Sequence, residues 1–278
     1  MSLAQLLHTI VYGIVQGITE FLPISSTAHL TLIPRFFNWP DGGIGFDVAL
    51  HLGTGIAVIL FFYKRWIELI KAGFTSPKSP SGKLFWIIVV ATIPASLVGL
   101  GLNDKITPLQ DNVYVVGVML IVMGFILWVV DHVGSKVVTR LVDVNAKKGI
   151  IIGLAQCLAI IPGVSRSGIT ITAARALGVG RETAAEFTFL LSTPIVLGDA
   201  GYHLLKLHSD PTASAQLNAV GGTPALIVGI VVSAIVGMIS IRFLLNFLKK
   251  RSLAAFAIYR FILGAVVILA AFGGVFIR

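Results

Sequence analysis

Six apolar runs, each long enough to cross a bilayer as a helix of about 20 residues, dominate this 278-residue chain. They cover roughly 45–63, 84–102, 113–131, 183–205, 224–248 and 254–276. The fold class they imply is an all-α polytopic membrane protein, a single membrane domain over residues 1–278. Charged residues make up 12% of the chain, about half the share in soluble domains. That balance excludes a soluble enzyme, a disordered chain and a nucleic-acid-binding module, despite a formal net charge of +9. The Lys and Arg residues fall between the apolar runs, as the positive-inside rule requires of membrane proteins. Cys157 is the only cysteine, so no intrachain disulfide, Cys-x-x-Cys pair or thiolate metal site can form. No Lys or Arg precedes Arg35, so the apolar start lacks the basic region of a signal peptide.

Two further apolar regions, 3–37 and 149–178, are broken by Pro and Ser clusters: Phe21-Leu-Pro-Ile-Ser-Ser-Thr27 and Ile161-Pro-Gly-Val-Ser-Arg-Ser-Gly168. Irregular backbone at membrane depth is tolerated only when buried in protein or lining a cavity. Both regions therefore read as re-entrant helix-turn-helix hairpins, with a full crossing by each as the alternative. With both hairpins re-entrant, loops 64–83, 132–148, 175–182 and 249–251 share one side and carry 14 Lys and Arg. The other side keeps Arg35, Lys105, Lys206 and Arg278, and a full crossing by the second hairpin spoils this asymmetry. The crowded side is then cytoplasmic, loops 103–112 and 206–223 are external, and both termini lie outside.

A repeat underlies the pattern. Gly13-Ile-Val-Gln16 before Pro23-Ile-Ser-Ser-Thr27 resembles Gly153-Leu-Ala-Gln156 before Pro162-Gly-Val-Ser-Arg-Ser167. Phe46 with His51 parallels Phe187 with Ser192. An odd number of crossings separates the copies, about 1–131 and 149–278, so the halves are inverted. Inverted repeats with broken helices place their sites near the midplane, where half-helix N-termini face anions.

Ionisable groups at this depth are functional candidates by default. Glu20 ends a helix that carries no other charge, one turn after Gln16 and on the same face. Ser25, Ser26 and Thr27 follow; capping accounts for one of these hydroxyls, not for three beside a carboxylate. His29 lies on the helical face of Ser26. Arg166, between Ser165 and Ser167, can offer a planar fork of donors to phosphate oxygens, with the next helix N-terminus behind it. Its other reading is a brace for the carbonyls of the first hairpin. Thr170 adds one more donor or bonds its own backbone. Asp47, His51, Glu186, Asp199 and Arg260 read as structural ion pairs or cavity lining, with His51 the strongest functional candidate among them. There is no phosphate-binding Gly-x4-Gly-Lys loop and no His-Glu-x2-His, so neither nucleotide-driven pumping nor zinc hydrolysis has support.

Residues Gln16-Gly-Ile-Thr-Glu20-Phe-Leu-Pro-Ile-Ser25-Ser26-Thr27-Ala-His29 resemble the first motif of the undecaprenyl-diphosphate phosphatases, the bacitracin-resistance family. Pro162-Gly-Val-Ser165-Arg166-Ser167-Gly-Ile-Thr170 resembles the second, and the likeness extends through Glu186-Phe-Thr-Phe and Phe256-Ala-Ile-Tyr-Arg260 to essentially the whole chain. Gln16 stands where some members carry Glu, which weakens any mechanism that needs a second carboxylate there. The resemblance implies dephosphorylation of a C55 polyprenyl diphosphate to its monophosphate, recycling the lipid carrier of cell-wall synthesis. It also implies a multi-pass protein of the bacterial inner membrane, a periplasm-facing site and use of Mg²⁺ or Ca²⁺. On this reading Glu20, Ser26, His29 and Arg166 are catalytic. Gln16, Ser25, Thr27, Ser165, Ser167 and Thr170 bind substrate. Ser26 is the preferred nucleophile with His29 or Glu20 as base, while His29 or water as nucleophile, and Glu20 as metal ligand, stay open. A flippase or proton-coupled carrier of polyprenyl phosphate is the rival; the expected partners are the lipid substrate and the bilayer, with a homodimer left open and no nucleic acid.

Overall fold

A computed structural model describes residues 1–110, 112–134, 139–207 and 211–275. Among them the ordered elements are helices alone, from α1 (Leu3–Thr19) to α12 (Ala254–Phe272). The first hairpin is α1 and α2 (Ser26–Phe37), followed by α3 (Gly43–Phe61), α4 (Tyr63–Thr75), α5 (Pro80–Gln110) and α6 (Val113–Val133). The second is α7 (Ala146–Gln156), a 3₁₀ turn over Cys157–Ile160, and α8 (Arg166–Ala176). It is followed by α9 (Arg181–Leu207), α10 (Pro211–Val220) and α11 (Thr223–Lys250). Large apolar side chains stay exposed along these helices, Val118, Val122 and Phe125 on α6 and Ile258, Ile262 and Val266 on α12. Such faces require lipid, and the protein is a polytopic helical membrane protein.

Five helices are long and apolar enough to span: Gly43–Phe61, Pro80–Leu102, Val113–Val133, Thr223–Lys250 and Ala254–Phe272. The sixth expected run, 183–205, is helical within α9 but not among them, since Glu186 and Asp199 interrupt its apolar character. Three connections also differ from the sequence reading. Loop 64–83 is largely the amphipathic helix α4. Region 206–223 contains α10, started by Pro211 and stopped by Gly221 and Gly222, both at positive φ. The expected loop 103–112 is helical as far as Gln110, and Asn112 caps α6 by accepting from the amides of Tyr114 and Val115. The side chains of Lys105, Lys206 and Arg278, used in the charge count, lie outside the described residues.

The basic segments gather at one end of the bundle. Buried Asp131 at the end of α6 accepts from Arg175 of α8 at 3.1 Å, Arg181 of α9 at 2.7 Å and the Leu253 amide at 2.9 Å. There too Arg65 of α4 faces Glu186 of α9 at 3.7 Å, and Lys249 of α11 faces Glu182 at 3.4 Å.

Both hairpins are broken by the same device. Prolines 23 and 162 disfavour helix in the residues before them, and each turn ends in a serine at positive φ, Ser25 at 75° and Ser165 at 74°. Each serine then caps the next helix, Ser25 Oγ accepting from the Ala28 amide at 3.4 Å and Ser165 Oγ from the Gly168 amide at 3.1 Å. At 1.5 Å per residue α2, α7 and α8 are about 16–18 Å long, well short of a hydrocarbon core of about 30 Å. The hairpins dock through close helix contacts. A Cβ added at Gly17 of α1 would come within 2.7 Å of Val236 Cβ on α11, so only glycine lets these backbones approach. Beneath the first turn Phe21 is buried edge-on against Phe189 of α9, ring centroids 5.1 Å apart.

Candidate active site

The two turns meet tip to tip. Ser167 Oγ donates to the Leu22 carbonyl at 3.3 Å, and Arg260 of α12 ties both turns together. Its guanidinium donates to Pro23 O of the first turn at 3.2 Å and to Gly163 O and Val164 O of the second at 2.8 and 3.1 Å. It also reaches Leu120 O and Met119 O of α6, at 3.2 and 3.4 Å. Arg260 is fully buried, and the brace for hairpin carbonyls considered for Arg166 is supplied by this residue instead.

Glu20, at the C-cap of α1, is the hub of the junction. Its Oε1 accepts from Arg166 Nη2 at 2.9 Å, and its Oε2 accepts from Ser26 Oγ at 2.7 Å and Gln16 Nε2 at 3.1 Å. His51 Nε2 lies 3.4 Å from the same Oε2. The His51 Nδ1 faces the Asp47 carbonyl at 2.7 Å, which can only accept, so Nδ1 carries a proton. Thr54 on the next turn of α3 accepts weakly from Gln16 at 3.5 Å.

A cavity of about 220 Å³ opens beside this cluster. Ser25, Ser26 and Thr27 line it from the start of α2, Ser165 and Arg166 from the start of α8. Two helix N-termini, with their unpaired amides and positive dipole ends, thus face one space with a guanidinium at its edge, an arrangement suited to an anion. Ala95, Gly99, Ile160 and Ile195 supply an apolar wall, suited to a hydrocarbon. A larger cavity, about 560 Å³, lies between α5 and α7 at the basic end, and no hydroxyl or carboxylate side chain lines it.

Several expected site residues are placed differently from the sequence reading. His29 does not contact Ser26 or Glu20 in any described interaction. Its Nδ1 meets the Ser25 carbonyl and its Nε2 the Tyr259 hydroxyl, each at 2.7 Å, and its ring stacks on Tyr259. Sharing a helical face with Ser26 was not enough, because the longer imidazole reaches past Ser26 to α12. The imidazole beside Glu20 is His51. Thr170 is fully buried and donates to the Arg166 carbonyl of its own helix at 2.7 Å, the back-bonding alternative. Gln16 serves Glu20 and does not line the cavity. Ser165 and Ser167 hold the second turn, their Oγ atoms 3.2 Å apart. Gln156, which entered the sequence reading only through the repeat, lines the cavity.

A divalent cation on Glu20 would have to displace Arg166 or Ser26. Among the described residues no group of three His, Cys, Asp or Glu side chains could hold one. The described residues thus offer a divalent ion one carboxylate, already shared between Arg166 and Ser26, and no cage.

The chain is 47% identical to an undecaprenyl-diphosphatase of Moorella thermoacetica, over 94% of this chain and 96% of that protein. It is 46% identical to the undecaprenyl-diphosphatases of Desulforudis audaxviator and Pelotomaculum thermopropionicum, over 94% and 95% of this chain and 96% of each of them. The family model described as bacitracin resistance protein BacA matches residues 9–266. A match over nearly the whole chain, including both broken hairpins, places it: the protein belongs to the BacA bacitracin-resistance family.

Proposed function

We propose that this protein hydrolyses undecaprenyl diphosphate to undecaprenyl phosphate and orthophosphate at the junction of its two hairpins. One observation carries the reading: the Ser26 hydroxyl donates at 2.7 Å to a carboxylate whose other oxygen holds Arg166 at the mouth of an anion-suited cavity. Ser26 Oγ attacks the terminal phosphorus while Glu20 takes its proton, the activated-nucleophile arrangement. The bond from that phosphorus to the bridging oxygen breaks, and the lipid leaves as its monophosphate. Glu20 passes that proton to the departing lipid phosphate; it then takes one from the water that attacks the phosphoserine, orthophosphate leaves, and the proton returns to Ser26 Oγ. Arg166 and the amides at the starts of α2 and α8 stabilise charge on the equatorial oxygens, the largest contribution in phosphoryl transfer. His51, which also lines the cavity, holds the same Glu20 oxygen through Nε2 when its ring carries both protons.

The site is proposed to face the periplasm across the bacterial inner membrane. Gly99 and Asp199, which line the cavity, lie 19 and 18 residues beyond the basic-end starts of α5 and α9. That is about 27–29 Å of helix rise away from the basic face, and basic segments stay cytoplasmic. Two matching helix pairs support the inverted repeat: α1 packs on α11, and its counterpart α7 packs on α5.

The test is orthophosphate release from a long-chain polyprenyl diphosphate, without ATP, by purified protein and by Ser26→Ala. Wild-type release with a loss of about 10³-fold or more in the variant is expected. Folded wild-type protein that moves the lipid across vesicles without hydrolysing it would replace this reading with the transporter.

A further inference from the structure

Gln156 is the last residue of α7 and is 2% exposed, yet neither atom of its side-chain amide has a hydrogen-bond partner among the described residues. A buried primary amide with both ends unmade is costly, of the order that folded proteins rarely tolerate without a use for the group. The repeat explains how it arises. Its counterpart Gln16 donates to Glu20 and Thr54. At the matching places after Gln156 the chain has Ile160 and Ile195, so both partners of the first-half amide become aliphatic in the second half. Both isoleucines line the cavity, as does Gln156 itself, together with Ser26 and Arg166.

We propose that Gln156 is a substrate-binding residue whose amide N–H groups grip the lipid-side phosphate of a polyprenyl diphosphate, the phosphate that stays on the product. The inference rests on the hydrolysis proposed above. Its position selects the phosphate. Ser26 and Arg166 serve the terminal, transferred group, whereas Gln156 leads into the 3₁₀ turn Cys157–Ile160, which packs on α5, the helix of Ala95; Ile160 and Ala95 belong to the apolar wall of the cavity, the side suited to the lipid chain. Amide nitrogens donate to phosphate oxygens without adding charge at membrane depth, which a second arginine would do at much greater cost. The grip is made to substrate and transition state alike, so its loss weakens binding more than turnover.

The experiment compares wild-type, Gln156→Leu and Gln156→Glu in detergent, measuring hydrolysis kinetics, thermal stability and inhibition by two products: polyprenyl monophosphate and orthophosphate. For Gln156→Leu a rise in KM of about tenfold is expected, the worth of one hydrogen bond to a charged group. The inhibition constant of the monophosphate should rise in parallel, that of orthophosphate should not move, and kcat should stay within about threefold. The melting temperature should not fall, because among the described residues the amide makes no bond that leucine would break. Gln156→Glu keeps the shape and turns a repelling carboxylate toward the phosphate, so its KM should rise further; it also serves if the leucine variant does not fold. Unchanged KM, an effect on orthophosphate in place of monophosphate, or a drop in melting temperature with kcat falling and KM constant would each overturn the assignment. Absence of hydrolysis by the wild-type protein would instead overturn the phosphatase reading on which it rests.

Discussion

Replacing Arg260 by lysine tests whether one buried guanidinium holds the two halves of the site together. Arg260 donates to five carbonyls from three directions: Leu120 through Nε, Pro23 through Nη1, and Met119, Gly163 and Val164 through Nη2. A lysine ammonium keeps the charge but concentrates its donors at one point, without the planar fork. Placed where Nη2 now sits, it can serve Gly163 and Val164, and it forfeits the bonds to Leu120 and Pro23. Two hydrogen bonds from a charged donor are worth about 1.5–3 kcal/mol each, and the lower end, about 3 kcal/mol in all, allows for relaxation around the shorter head group. For a chain of this size that is a fall in melting temperature of about 6–12 °C. A merely structural arginine would stop there. Arg260 does more, because Pro23 O is its only bond to the first turn, and freeing that turn loosens the contacts of Glu20 with Arg166 and of Ser167 with Leu22. Orthophosphate release per folded molecule should therefore fall as well, measured on protein from the monodisperse peak of a sizing column well below the new melting temperature. A lysine variant that melts with wild-type protein would refute the bond count. One that melts early but hydrolyses at the wild-type rate would refute the coupling of the turns.

Other outcomes follow from the same geometry. Arg166→Lys should lower kcat by about 10²–10³, since one ammonium cannot bind Glu20 and a phosphate as a fork can; stopped-assay kinetics beside melting curves check that the loss is not unfolding. Ser165→Ala should destabilise by about 1 kcal/mol through loss of the α8 cap while keeping the φ of 74°. Ser165→Gly relieves that backbone strain and should melt above the alanine variant. In a Cys157→Ala background, Ala215→Cys on α10 should react with an impermeant thiol reagent on intact cells and Lys78→Cys should react only after lysis; the reverse pattern would invert the proposed orientation.

What could be read from the residues divides along a physical line. Features set by local chemistry were legible: five of the six expected spans, the Pro and Ser breaks in both hairpins, and the structural part given to Arg260. Contacts between residues far apart in the chain were not. Glu20 and Arg166 are 146 positions apart, and nothing in either motif says that the guanidinium rests on this carboxylate. Helical spacing placed His29 beside Ser26, but spacing fixes only where a side chain leaves the backbone, and Tyr259 of α12 determines where that ring ends. His51 was singled out without a partner; its approach to Glu20 required α3 to pack beside α1. α4 and α10 were passed over because a short amphipathic helix and a polar loop have similar composition.

The pairing of Arg166 with Glu20 links stability to the proposed chemistry. A guanidinium or a carboxylate alone at this depth would cost several kcal/mol, and each offsets that cost for the other. Only Nη2 of Arg166 is engaged with Glu20, so other donors of the fork are left for an anion in the cavity that Arg166 lines. A diphosphate can therefore gain Arg166 without first stripping it from the carboxylate. Glu20 in turn keeps its second oxygen on the Ser26 hydroxyl, where a general base must be. A lysine would have to choose between the two anions. The same ion pair that makes two charges tolerable inside the membrane thus leaves Arg166 with donors for the substrate and Glu20 with an oxygen on the nucleophile.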